Sequence, residues 1–179
     1  MPQATVASHP LHPMLIVAPA ALIPFGFILD AMYRATGKQS YADAAYYSMM
    51  GGVIGGLAAG AAGAVDYLSI RPHTEVKRTA NVHALLNVSA LATTALNLLR
   101  RRNRDNHQGG SLVLSAVAAA GVLVSGWFGG RMVYEQGMRV KGVNPIEDAR
   151  ELKLPHDDAV QRMMLKEESI MPSGGPMLH

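Results

Sequence analysis

Long apolar runs separated by short charged clusters set the frame of this chain. No Asp, Glu, Lys or Arg occurs before Asp30, between Asp43 and Asp66, between Arg78 and Arg100, or between Asp105 and Arg131. Each gap holds a helix of roughly 20 residues, the length that crosses a hydrocarbon core about 30 Å thick. The pattern predicts four transmembrane helices over about 13–32, 43–70, 79–99 and 110–134. The expected fold class is therefore all-α: a four-helix transmembrane bundle over residues 1–138, followed by an extramembrane tail over 139–179. Within that tail Asp157 and Asp158 can open a short amphipathic helix through Glu168, with Val160, Met163 and Met164 as its apolar side.

Finer periodicities mark the inner faces. The first span opens on His9-Pro10-Leu11-His12-Pro13, where each proline pushes the residue before it towards an extended conformation. Both histidines are thus expected at a helix entrance, with Pro13 as the helix start and Pro19 and Pro24 bending the rest of the span. The second span carries Gly52, Gly56 and Gly60 at four-residue spacing, with Gly51, Gly55, Ala59 and Gly63 beside them. Such stripes let another helix, or a flat ligand, approach closely, and helix packing is the commoner use. His83, Asn87, Ala90, Thr94 and Asn97 give the third span one polar face, with Thr79 as its expected N-cap. Ser111, Ser115, Ala118, Val122, Ser125 and Gly129 do the same for the fourth. In lipid such faces must turn inward.

Composition narrows the chemistry. The chain is 49% hydrophobic and 16% charged, and it contains no cysteine. Disulfides, thiolate haem ligation and cysteine-bound iron–sulphur clusters are excluded within it. The net charge of +3 belongs to the loops of a membrane protein and does not point to nucleic acid. The N-terminus shows no basic start or small-residue cleavage site, so the first span reads as a retained helix. The dense Arg100-Arg101-Arg102-Asn103-Arg104 cluster favours that loop as cytoplasmic, which puts both termini on the non-cytoplasmic side.

Four spans bring His12, Asp66, His83, Asn87 and Tyr134 to one leaflet, and costly intramembrane polar groups clustered in this way are a candidate site. Three uses are open. His12 and His83 can be axial ligands of haem iron, giving a b-type electron carrier. The same residues with Asp66, Asn87 and Tyr134 can hydrogen-bond and exchange protons with a quinone. A simple metal site is the third, without a tidy ligand spacing to support it. The plainer alternative is no cofactor at all: His83 bonding a neighbouring helix, His9 and His12 in the headgroup zone, and Asp66 paired with Arg131 or Arg78. His73 and His107 fall in loops. His156, Met163, Met164, Met171, Met177 and His179 are conceivable soft copper ligands in the tail. No nucleophile–base pair or phosphate loop marks an enzyme, and no internal repeat marks a transporter.

Four motifs now stand in order: His12-Pro13-Met14-Leu15-Ile16-Val17, Gly63-Ala64-Val65-Asp66-Tyr67, His83-Ala84-Leu85-Leu86-Asn87, and Ser125-Gly126-Trp127-Phe128-Gly129-Gly130 with Val133-Tyr134. From about Ser8 to Val140 the chain resembles a bacterial family of predicted membrane proteins of unknown function. Some relatives are fused to Rieske or quinoprotein sugar dehydrogenase domains. The resemblance therefore implies a subunit or anchor of a redox system in the bacterial cytoplasmic membrane, working with a protein partner. The chain departs from the family pattern at Gln136, where a histidine is common. The expected function is a non-catalytic subunit contacting haem b or quinone. A cofactor-free scaffold that holds a partner through residues 139–179 is the alternative.

Overall fold

The computed structural model describes residues 5–6, 9–102 and 110–138. A minimal antiparallel pairing of β1 (Thr5–Val6) with β2 (His9–Pro10) leads into α1 (Leu11–Leu15) and α2 (Val17–Thr36). Then come α3 (Gln39–Leu68), α4 (Glu75–Arg102) and α5 (Leu112–Tyr134). α1 and α2 together make the first span, Leu11–Thr36, and α3, α4 and α5 supply the other three. The helical bundle of four apolar spans expected from the charge gaps is the architecture. The tail helix around 157–168 and the candidate copper ligands lie outside the described residues.

Local chemistry adjusts the ends of these helices. Pro10 is extended, with φ −68° and ψ 127°, and caps α1, but His12-Pro13 is absorbed into that helix instead of standing before it. Proline is tolerated in a first turn because the N–H it lacks would have had no helical partner there. Further along, Pro19 has no N–H for the Leu15 carbonyl, and the ladder breaks at Ile16, which ends α1 and starts α2. The third span begins four residues before Thr79. Thr74 is the cap, its hydroxyl accepting the Lys77 N–H at 3.1 Å. Thr79 instead lies buried inside α4 and donates to the Glu75 carbonyl at 3.0 Å.

α2 lies along α3 and α4 along α5, while α2–α5 and α3–α4 contacts close the ring of four. The glycine stripes serve this packing. A Cβ on Gly52 would meet Ile23 Cγ1 at 2.7 Å, one on Gly55 would meet Ala18 Cβ at 2.5 Å, and one on Gly56 would meet Leu91 Cδ2 at 2.5 Å. Ile23, Ala90, Ala118 and Val122, with Leu91 against them, form an apolar core. Around it the usual soluble pattern is reversed. Ile54, Leu57, Leu85, Val88, Val113 and Leu123 are exposed towards lipid, whereas Thr94, Asn97, Ser115 and Ser125 are buried.

Candidate functional site

The two motif histidines meet inside the bundle. Their ring centres are 6.2 Å apart with planes at 88°. Each is held by the same device. His12 Nδ1 lies 2.8 Å from the Ala59 carbonyl of α3, and His83 Nδ1 lies 2.8 Å from the Ser125 carbonyl of α5. A mid-helix carbonyl is normally hidden behind the side chain one turn further on. Here those positions, Gly63 and Gly129, are glycines. A Cβ on Gly63 would stand 2.9 Å from His12 Nδ1, and one on Gly129 would stand 3.1 Å from His83 Cε1. The glycines clear room for the imidazoles themselves, and the ring N–H of each histidine becomes the donor to a carbonyl already used by its own helix.

This bonding fixes the tautomers. In the neutral imidazole, with Nδ1–H donated to Ala59, His12 Nε2 carries a lone pair, and no described residue hydrogen-bonds it. His83 is more fully engaged. Its Nε2 accepts from Asn87 Nδ2 at 3.0 Å, the same amide reaches the His83 carbonyl at 3.0 Å, and Ser125 Oγ stands 3.0 Å from Nδ1. His83 is thus the anchored partner and His12 the open one.

The other expected members divide. Asp66 is buried on α3 about a turn beyond Gly63, at the same end of the bundle. Tyr134 is not brought into the cluster. It is 89% exposed, because the inward positions near the end of α5 are Met132 and Gln136. His73 is an exposed loop residue, and the side chain of His9 lies outside the described set. Arg131 pairs with Glu135 at 2.8 Å on the surface.

Gln136, which the sequence marks only as a departure from the family pattern, is a further inward residue. α5 ends in a reversal at Gly137, φ 64°, with the Met138 N–H on the Met132 carbonyl at 2.8 Å. The turn tucks Gln136 inward, 8% exposed, where its amide donates to Thr79 Oγ1 at 3.1 Å. Thr79 is one turn before His83 on α4, so Gln136 covers that face. The Gly137 just past a helical pattern was the available signal.

A second polar cluster occupies the other end. Arg101, 1% exposed, grips Asp30 through both terminal nitrogens, with NH1–Oδ1 at 2.7 Å, and the Ser115 hydroxyl also donates to Asp30. Asn97 donates to Ser115 at 2.8 Å and receives the Ser111 N–H at 2.8 Å. The polar face read on the third span runs one step beyond Asn97, to Arg101. That residue belongs to the core and not to the basic loop.

A model of predicted membrane proteins, DUF2231, matches residues 8–142. The chain belongs to that family. No curated protein and no solved structure matches it. This DUF2231 protein is accordingly a multi-pass membrane protein, and the family description assigns it no activity.

Proposed function

We propose that this DUF2231 protein is a quinone-contacting subunit of a membrane redox system, and that His12 is the group that meets the quinone. The observation supporting this is the open Nε2 of His12, a bare acceptor beside a histidine held at both nitrogens. A hydroquinone hydroxyl donates to such a nitrogen. On oxidation the imidazole takes the proton, and Asn87, Ser125 and His83 keep the neighbouring wall fixed. Asp66, buried at the same end, is a further carboxyl for proton exchange. The apolar core of Ile23, Ala90, Ala118 and Val122 separates this end from the other, so the chemistry is confined to one leaflet. Such a subunit needs a protein partner to supply or remove the electrons.

Haem b is the second reading, favoured by one measurement. His12 and His83, with ring centres 6.2 Å apart, would be the residues to hold the iron, which would supply one-electron transfer there. Against it, Gly63 and Gly129 are filled by the imidazoles, and Asn87 occupies His83 Nε2.

Purification in mild detergent followed by mass spectrometry of the extracted lipids distinguishes these. Quinone is expected at near one per chain, falling about tenfold in His12→Ala, the effect of losing a contact of roughly 1.4 kcal/mol. Equal quinone in wild type and His12→Ala contradicts the reading, and a Soret band that shifts with dithionite establishes haem in its place.

The proposed setting is the bacterial cytoplasmic membrane with both chain termini outside the cytoplasm. With Arg101 withdrawn into the core, the cytoplasmic charges are Arg34, Lys38 and Arg100, with Arg102 and Arg104 beyond. Because the chain has no cysteine, Lys38→Cys and Arg71→Cys report orientation cleanly. An impermeant maleimide on whole spheroplasts should label Arg71→Cys alone; labelling of Lys38→Cys alone reverses the topology.

A further inference from the structure

Beside the Asp30–Arg101 pair, in the leaflet opposite the histidines, lies a cavity of about 10 Å³, walled by Asp30, Tyr33, Arg34, Arg101 and Gly110 among others. Room for one oxygen-sized atom is what that volume provides. Donors surround it. Arg101 uses both terminal nitrogens, but its Nε is buried with no hydrogen-bond partner. Tyr33 and Arg34 likewise make no side-chain hydrogen bond or ion pair among the described residues, and Arg34, in the last turn of α2, is exposed at the rim.

Among the described residues acceptors are scarce there. Asp30, the carboxylate in the wall, already takes Arg101 twice and the Ser115 hydroxyl. Among the described residues that line the cavity its charge is balanced by Arg101, which leaves Arg34 as net positive charge at the opening. A buried N–H without a partner is costly, so an acceptor belongs here. Water would satisfy the Arg101 Nε, yet it leaves the charge of Arg34 unanswered. A phosphate does both, with one oxygen in the cavity and the others at the rim facing the guanidinium and the phenol.

We propose that this end of the bundle is a phosphate-binding site, with Arg101 Nε and Tyr33 receiving one oxygen and Arg34 holding the group at the opening. α2 ends at Thr36, only two residues past Arg34, which places the rim at headgroup depth. Two sources share this chemistry, the phosphate of a phospholipid headgroup and free inorganic phosphate.

The test is the melting temperature of the full chain, delipidated in detergent, with dioleoyl phosphatidylglycerol, dioleoylglycerol or inorganic phosphate added. Phosphatidylglycerol should raise it by about 5 °C, and dioleoylglycerol should not. Inorganic phosphate raising it equally identifies the free ion as the ligand, and no rise with phosphate identifies the headgroup. Arg34→Gln, at an exposed position that leaves the Asp30–Arg101 pair intact, should melt as the wild type does without additive and lose most of the rise. An equal rise in Arg34→Gln, an equal rise with dioleoylglycerol, or no rise with either phosphate source overturns the proposal.

Discussion

Asp30→Ala should lower the stability of the bundle by about 3–5 kcal/mol, the cost of leaving a buried charge without its partner. Arg101 is 1% exposed and its neighbours cannot replace the carboxylate, since Ser115 and Asn97 are already bonded to one another. The substitution also frees the Ser115 hydroxyl, so three donors lose one acceptor at once. Removing both charges is a different matter. Asp30→Leu with Arg101→Met replaces an ion pair by apolar groups, an exchange that is often neutral. The pair of experiments, read as detergent or thermal unfolding midpoints, should therefore show a severe single variant and a mild double one. Equal losses in both would mean that shape, and not charge, holds this end together.

The second large effect concerns a single methyl group. Gly63→Ala places a Cβ 2.9 Å from His12 Nδ1 and closes the way to the Ala59 carbonyl. The imidazole must leave a hydrogen bond and push into its neighbours, a loss of about 2 kcal/mol from an unsatisfied donor and overpacking together. Gly60→Ala lies one turn earlier on the same helix, with nothing within 4 Å of its new Cβ. There alanine's higher helix propensity should add up to about 1 kcal/mol. Opposite signs at two glycines three residues apart are the expected result, measured as unfolding midpoints. Matching shifts would show that Gly63 serves general packing and not the histidine.

Much of this architecture was legible in the sequence. Four charge-free gaps became four spans because the bilayer penalises charge so steeply that its absence is an accurate ruler. Helix ends were less legible, since Glu75, Lys77 and Arg78 are helical although they are charged. Periodicity placed His83, Asn87, Thr94, Asn97, Ser115 and Ser125 on inward faces, where they lie or are half-buried. The topology of four spans brought His12 and His83 to one end of the bundle, where their rings lie 6.2 Å apart. What it could not show was contact between helices. Asp30 and Arg101 stand 71 positions apart, and nothing local marks them as partners. The relation of Gly63 to His12 and of Gly129 to His83 is of the same kind. Each glycine looked like a packing residue, and its reason appears only when an imidazole from another helix reaches the carbonyl one turn back. Tyr134 was misplaced because membership of a leaflet does not fix which way a side chain faces.

The proposed contact with quinone is made by the open nitrogen of His12. Nitrogen-15 spectra of the histidine-labelled full chain in nanodiscs, taken while a short-chain hydroquinone is added, address it directly. The Nε2 resonance of His12 should move saturably towards the hydrogen-bonded range, while that of His83, already bonded to Asn87, stays within line width. A His12 signal that does not move, or movement at His83 alone, contradicts the proposed role.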